Sequence, residues 1–176
     1  HRTLEIVRVG TCGGMQEDIP LGTFLVSEKS IGWDGLLAFY EGRDEIADLG
    51  FEDALVDFIH YPAKAARPYV VAANPELVNR IAGEDMMRGC TIAANGFYGP
   101  QGRVLRCDLA VKDINERITD FRYEGQRITN YEMEGSAIAG LSLLMGHKAM
   151  TVCCVIAQRK VEAANTDYKP RIKQLV

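Results

Sequence analysis

An α/β domain, with a sheet covered by helices, is what this sequence of 176 residues predicts. Three observations carry the expectation. Short β-branched runs alternate with amphipathic stretches along the chain. The run from Ala149 to Ala157 is apolar almost throughout, as in a strand buried on both faces. At roughly 150 residues per domain the length fits a single domain over 1–176. Apolar residues at 47% and charged residues at 25% allow a full core and exclude a disordered or collagen-like chain.

Taken in order, Glu5 to Val9 reads as a strand ending in the glycine loop GTCGG, and Thr23 to Ile31 as a second, partly alternating strand. Phe51, Leu55, Phe58 and Ile59 share one helical face, and a further helix is expected from Pro75, whose fixed φ suits a first turn. Cys90 to Ala94 is a short apolar strand that runs into NGFYGPQGR, a loop by virtue of its glycines and proline. Arg127 to Tyr131 is another strand. The clearest helix follows from about Glu132 to Met145, with Met133, Ala137, Ile138, Leu141, Leu144 and Met145 on its buried face and Gly146 closing it. After the apolar strand to Ala157, a last helix is expected from Lys169 to Val176.

Lys+Arg at 20 against Asp+Glu at 24 leave a net charge of −4, which gives no general reason to bind nucleic acid or an anionic membrane. Phosphate chemistry must then be local. No apolar run reaches the roughly 18 residues of a membrane span, and HRTLEIVRVG lacks the apolar core of a signal peptide, so a soluble cytoplasmic protein is expected. Cys12, Cys90, Cys107, Cys153 and Cys154 show no CxxC spacing, and His1, His60 and His147 are scattered, so reduced thiols and no metal site are expected. The first residue is not Met, and the strand at Glu5 has nothing before it to pair with. The expectation is that an N-terminal part is missing.

Three segments suggest chemistry. Arg8-Val9-Gly10-Thr11-Cys12-Gly13-Gly14 offers a guanidinium, a hydroxyl and approachable backbone amides, a set that suits phosphate; a tight turn with a surface arginine fits the same spacing. Asn130-Tyr131-Glu132-Met133-Glu134 sets two carboxylates at a strand-to-helix junction, where they favour the positive helix end or, if one is buried, the donors of a sugar cis-diol. Phe97 to Arg103 combines a ring, an amide and a guanidinium on a glycine loop, which suits a planar base with an imide edge or an ordinary solvated turn.

RVGTCGG, Asp34-Gly35, FYGPQGR, NYEMEGSA and VIAQR, in that order and spanning nearly the whole chain, resemble the nucleoside phosphorylases, most closely their uridine phosphorylase branch. The resemblance implies a three-layer α/β/α sandwich around a mixed, partly closed sheet. It implies reversible phosphorolysis of uridine to uracil and ribose 1-phosphate, with inorganic phosphate as co-substrate and no cofactor. Arg8 and Thr11 would hold phosphate, and Cys12 and Gly13 would line the pocket near sugar and base. Met133 and Glu134 would hold the ribose with Glu132 beside them; Phe97 would stack near the base, and Gln101 and Arg103 would read its edge. Ile156 and Ala157 would add apolar contacts, with Arg159 steadying the base side.

Family members are longer, begin with strands that carry a further phosphate loop, and share sites between subunits, so a homodimer or hexamer is expected. Cys12 stands where a second small hydroxyl residue is common. A purine nucleoside phosphorylase or nucleosidase would share the ribose motif, but the resembling purine enzymes place a carboxylate where this chain has Gln158-Arg159. A nucleoside-binding or storage protein without turnover is the alternative of another class.

Overall fold

The computed structural model describes residues 2–159, 163–165 and 167–175. Its strands are β1 (Glu5–Gly14), β2 (Phe24–Gly32), β3 (Tyr69–Ala72), β4 (Met86–Ala93), β5 (Arg122–Tyr123), β6 (Gln126–Glu132), β7 (Lys148–Gln158) and β8 (Ala163–Ala164). Its α-helices are α1 (Arg43–Ile46), α2 (Leu49–Ile59), α3 (Pro75–Ile81), α4 (Ile114–Asp120), α5 (Gly135–Leu144) and α6 (Lys169–Ile172). The sheet order is β3-β2-β4-β6-β1-β7-β8, with β5 attached to β6. Because β2 also pairs with β7, the strands β2, β4, β6, β1 and β7 close on one another. This is the mixed, partly closed sheet that the resemblance implied.

Helix starts follow their sequence signals. Asp48 accepts a hydrogen bond from the Phe51 amide at 3.0 Å to begin α2, and Asn74 accepts from the Leu77 amide at 3.1 Å ahead of Pro75 in α3. Phe51, Leu55 and Ile59 of α2 and Ile114 and Ile118 of α4 pack on Ile31, Val70, Ile92 and Ile128. Val71, on the alternate pleat of β3, packs instead with Ala139 of α5, so helices cover both faces. Leu77 and Val78 of α3 cover Phe24, Val26, Met150 and Val152, while Leu25, Cys153 and Val155 turn the other way to meet Cys12 and Ile19.

Four expectations need correction. GTCGG is not a loop: β1 runs through Gly14, paired in parallel with β7 along its length and bulged between Cys12 and Gly13. Glu132 is not helical but ends β6, and α5 starts at Gly135. The buried face of α5 is the small one, Gly135, Ser136, Ala139, Gly140 and Ser142, while Met133 and Met145 are exposed and Ala137, Ile138, Leu141 and Leu144 half-buried. The close approach explains it, since a Cβ on Gly140 would lie 2.6 Å from Leu37. The last helix is one turn, Lys169–Ile172, and Val176 lies outside the described residues.

Candidate active site

The ends of β1, β6 and β7 meet at one place. β1 and β7 run parallel there, with Gly13 opposite Ala157 and Gly14 opposite Gln158, while β6 arrives antiparallel with Tyr131 opposite Gly13. The sheet thereby delivers Arg8, Glu132 and Arg159 from segments far apart in sequence.

Arg8 lies on β1 with its guanidinium folded back over Gly10, where a Cβ would stand 2.7 Å from Nη1. A side chain there would displace the guanidinium. Nη1 donates to Cys153 Sγ at 3.2 Å, and Nη2 is 3.1 Å from Glu132 Oε2 and hydrogen-bonded to Glu134 Oε2. Burial alone would lower the Arg8 guanidinium, but Glu132, Cys153 and Glu134 together hold it above its ordinary value.

The two carboxylates of NYEME differ sharply in setting. Glu132 is 3% exposed. Its oxygens accept from the Glu134 amide at 3.0 Å and from the Gly135 amide at 3.0 and 2.9 Å, so it supplies the acceptors that the first turn of α5 needs. Burial pushes its carboxyl up, opposed by those amides and by Arg8. Glu134, with its side chain 58% exposed, faces outward beside exposed Met133. One carboxylate is built into the strand-to-helix junction, and the other lies at the surface, hydrogen-bonded to Arg8.

The residues expected to meet a base gather on the loop after β4 and just past β7. Gln101 is buried, and its Oε1 accepts from Arg103 Nη1 at 2.7 Å and from Arg159 Nη2 at 2.5 Å. Arg159 Nη1 also donates to the Gln101 carbonyl at 2.9 Å. Arg103 lies 3.7 Å from the centre of the half-exposed Phe97 ring, and Arg159 lies 4.8 Å from that of Tyr131. Burial and the neighbouring Arg103 bring the Arg159 guanidinium down to about 10, and burial lowers Arg103. Two cations on one amide oxygen leave positive potential in excess, which suits a group that gains negative charge.

Of the remaining expected residues, Cys12 departs from its expected place. Cys12 is 5% exposed and packs with Ile19, Leu25, Cys153 and Val155, so it lies in the core rather than at the open face, and burial pushes its thiol well up. It is no nucleophile in that state. Thr11 is half-buried on the alternate pleat from Arg8. Gly13 lies beneath Arg159, where a Cβ would be 3.4 Å from Nε. Ile156 and Ala157 are half-buried at the end of β7. Gln158 donates to the carbonyls of Gln16 and Ile19 at 2.7 and 2.8 Å, a structural use.

Sequence reading missed Asn115, which donates to the carbonyls of Gln101 and Gly102 at 3.3 and 3.2 Å and accepts from Tyr131 Oη at 3.1 Å. Gly102 has φ of +67°, the left-handed region, and a Cβ there would meet the Asn115 amide at 2.4 Å. No spacing signal marks Asn115. Among the described residues no group of three or more His, Cys, Asp or Glu could hold a metal ion, and no helix is long and apolar enough to cross a membrane.

Comparison with known proteins places this chain in a family. The model of the phosphorylase superfamily matches residues 2–174, and the chain belongs to that superfamily. Uridine phosphorylase A of Schistosoma mansoni is 29% identical over 161 residues, covering 87% of this chain and 47% of the relative. The uridine phosphorylase of Thermococcus kodakarensis is 24% identical over 155 residues, covering 87% and 48%. The chain thus spans about half the length of the curated relatives it matches. A Trypanosoma brucei nucleoside phosphorylase, described as showing uridine phosphorylase activity, superimposes with a TM-score of 0.83 at 26% identity, over 97% of this chain and 60% of that one. Schistosoma mansoni uridine phosphorylase in complex with uracil gives a TM-score of 0.65 at 24% identity, over 99% and 57%, a likeness of fold.

Proposed function

From membership of the phosphorylase superfamily as premise, we propose that this protein catalyses the reversible phosphorolysis of uridine to uracil and ribose 1-phosphate. The observation that carries it is the pairing of two charge clusters: Arg8 with Glu132 and Glu134 on one side, Gln101 with Arg103 and Arg159 on the other. Phosphate is held by Arg8 and the ribose hydroxyls by Glu134. A phosphate oxygen attacks C1′ as the C1′–N1 bond breaks, its electrons pass to uracil, and a proton then restores N1–H on the base. The excess positive potential of Arg103 and Arg159 stabilises the departing anion, and Phe97 offers its ring to the base. Orientation and electrostatics do the chemistry, with phosphate as co-substrate and no cofactor.

A pyrimidine is favoured over a purine because Gln158 and Arg159 occupy the place at which resembling purine enzymes have a carboxylate. We extend the proposal to a homodimer or hexamer, supported by exposed Leu4, Val7 and Val9 and by a first half of β1 that pairs only with β7 among the described residues. A cytoplasmic location is supported by five free thiols. The test is uracil release from uridine with and without phosphate. Release only with phosphate is expected. Release without phosphate would replace the phosphorylase by a nucleosidase, and uridine binding with no release would leave a binding protein.

A further inference from the structure

Glu134 sits between two jobs. Its carboxylate is the group assigned above to the sugar hydroxyls, yet it is hydrogen-bonded to Arg8, the group assigned to phosphate. Glu132 does not free Arg8 from this sharing, because both Glu132 oxygens are occupied by the amides of Glu134 and Gly135 and its contact to Nη2 is the longer one, 3.1 Å. Nη1 is turned to Cys153. Nη2 is therefore where an incoming phosphate oxygen and the Glu134 carboxylate meet as rivals, since both are anions that seek the same N–H donors.

We propose that Glu134 competes with phosphate for Arg8, and that phosphate, by taking Arg8, releases Glu134 to the ribose. The proposal rests on the phosphorylase reading of the two residues. Its consequence runs against the usual effect of trimming a binding site: altering Glu134 improves the binding of phosphate. Because Glu134 is more than half exposed, the contact is screened and the gain is modest, about threefold in Kd.

Inorganic phosphate alone is titrated calorimetrically into the protein and its Arg8→Ala, Glu134→Gln and Glu134→Asp variants, with thermal unfolding confirming that each is folded. Phosphate is expected to bind about threefold more tightly to Glu134→Gln and also to Glu134→Asp, which keeps the charge but is one methylene too short to reach Nη2. Tightening in Glu134→Gln with no change in Glu134→Asp would overturn the contact in favour of a general field. Unchanged or weaker phosphate binding in both would overturn the competition and leave the phosphorylase reading intact, provided Arg8→Ala still abolishes binding. Phosphate binding that survives Arg8→Ala would overturn both.

Discussion

The side of the site proposed to take phosphate and ribose is made of strand ends and buried charge, whereas the side proposed to take the base is made of side chains leaning on one loop. Glu132 terminates β6 inside the sheet, bonds two backbone amides and pairs with Arg8, so the same atoms start α5 and orient the site. Gln101, by contrast, is gripped by Arg103 from its own loop and by Arg159 just past β7. Fold and function share atoms on the first side and are nearly separable on the second. Stability measurements on the two sides should differ accordingly.

The largest effect is expected at Glu132. Glu132→Leu removes the acceptor of the Glu134 and Gly135 amides and leaves Arg8 with the exposed Glu134 as its one carboxylate partner, beside the Cys153 thiol. Breaking a buried ion pair from one side costs about 3 to 5 kcal/mol. Chemical denaturation should show that loss, with phosphate binding lost as well. A folded variant within about 1 kcal/mol of wild type would show that the strand-built side is no more integral than the loop.

Gln101→Glu sharpens the comparison by reversing the sign. A carboxylate between Arg103 and Arg159 neutralises two cations that burial already pulls below their ordinary values. Stability should rise by about 1 kcal/mol, the scale of a charge-assisted bond discounted for partial exposure. Turnover should fall by about two orders of magnitude, because the departing base then meets negative charge. Higher stability with lower kcat/KM is the trade expected where a site stores electrostatic strain. A variant that loses both would show that Gln101 packs the loop and does not balance charge.

Much of this division was legible in the sequence, because it is carried by residue chemistry at short range. Arg8, Glu134, Gln101 and Arg103 could be singled out from their own segments, as could the expectation that one of the NYEME carboxylates is buried. What depends on remote pairing was not. That GTCGG continues as a strand is decided by β7, whose Cys153 lies 145 residues from Arg8. Gly10 lies under the path of the Arg8 side chain rather than in a turn. Apolar periodicity marked the wrong face of α5, since small residues face the sheet when backbones come close, and a hydrophobicity pattern rewards large ones. Strand β3 and helix α4, with Asn115, carried too little pattern to be read at all.

The smallest effect on stability is expected at Phe97, and it is the cleanest separation of the two sides. The ring is 51% exposed and touches Arg103 and Tyr98 at the loop surface. Removing an exposed side chain changes stability by no more than about 0.5 kcal/mol, and the lost cation–π contact adds about as much again. Phe97→Ala should therefore unfold almost as the wild type does. Its substrate effect should be confined to the base: stacking against a planar ring is worth about 1 kcal/mol, so kcat/KM for uridine should fall roughly fivefold while the KM for phosphate stays put. Arg8, the proposed phosphate ligand, is held by Glu132, Glu134 and Cys153 and has no contact with the Phe97 loop among its hydrogen bonds. If Phe97→Ala raised the KM for phosphate as much as that for uridine, the loop and the strand ends would be one coupled unit, and the division between a sheet-built side and a loop-built side would fail.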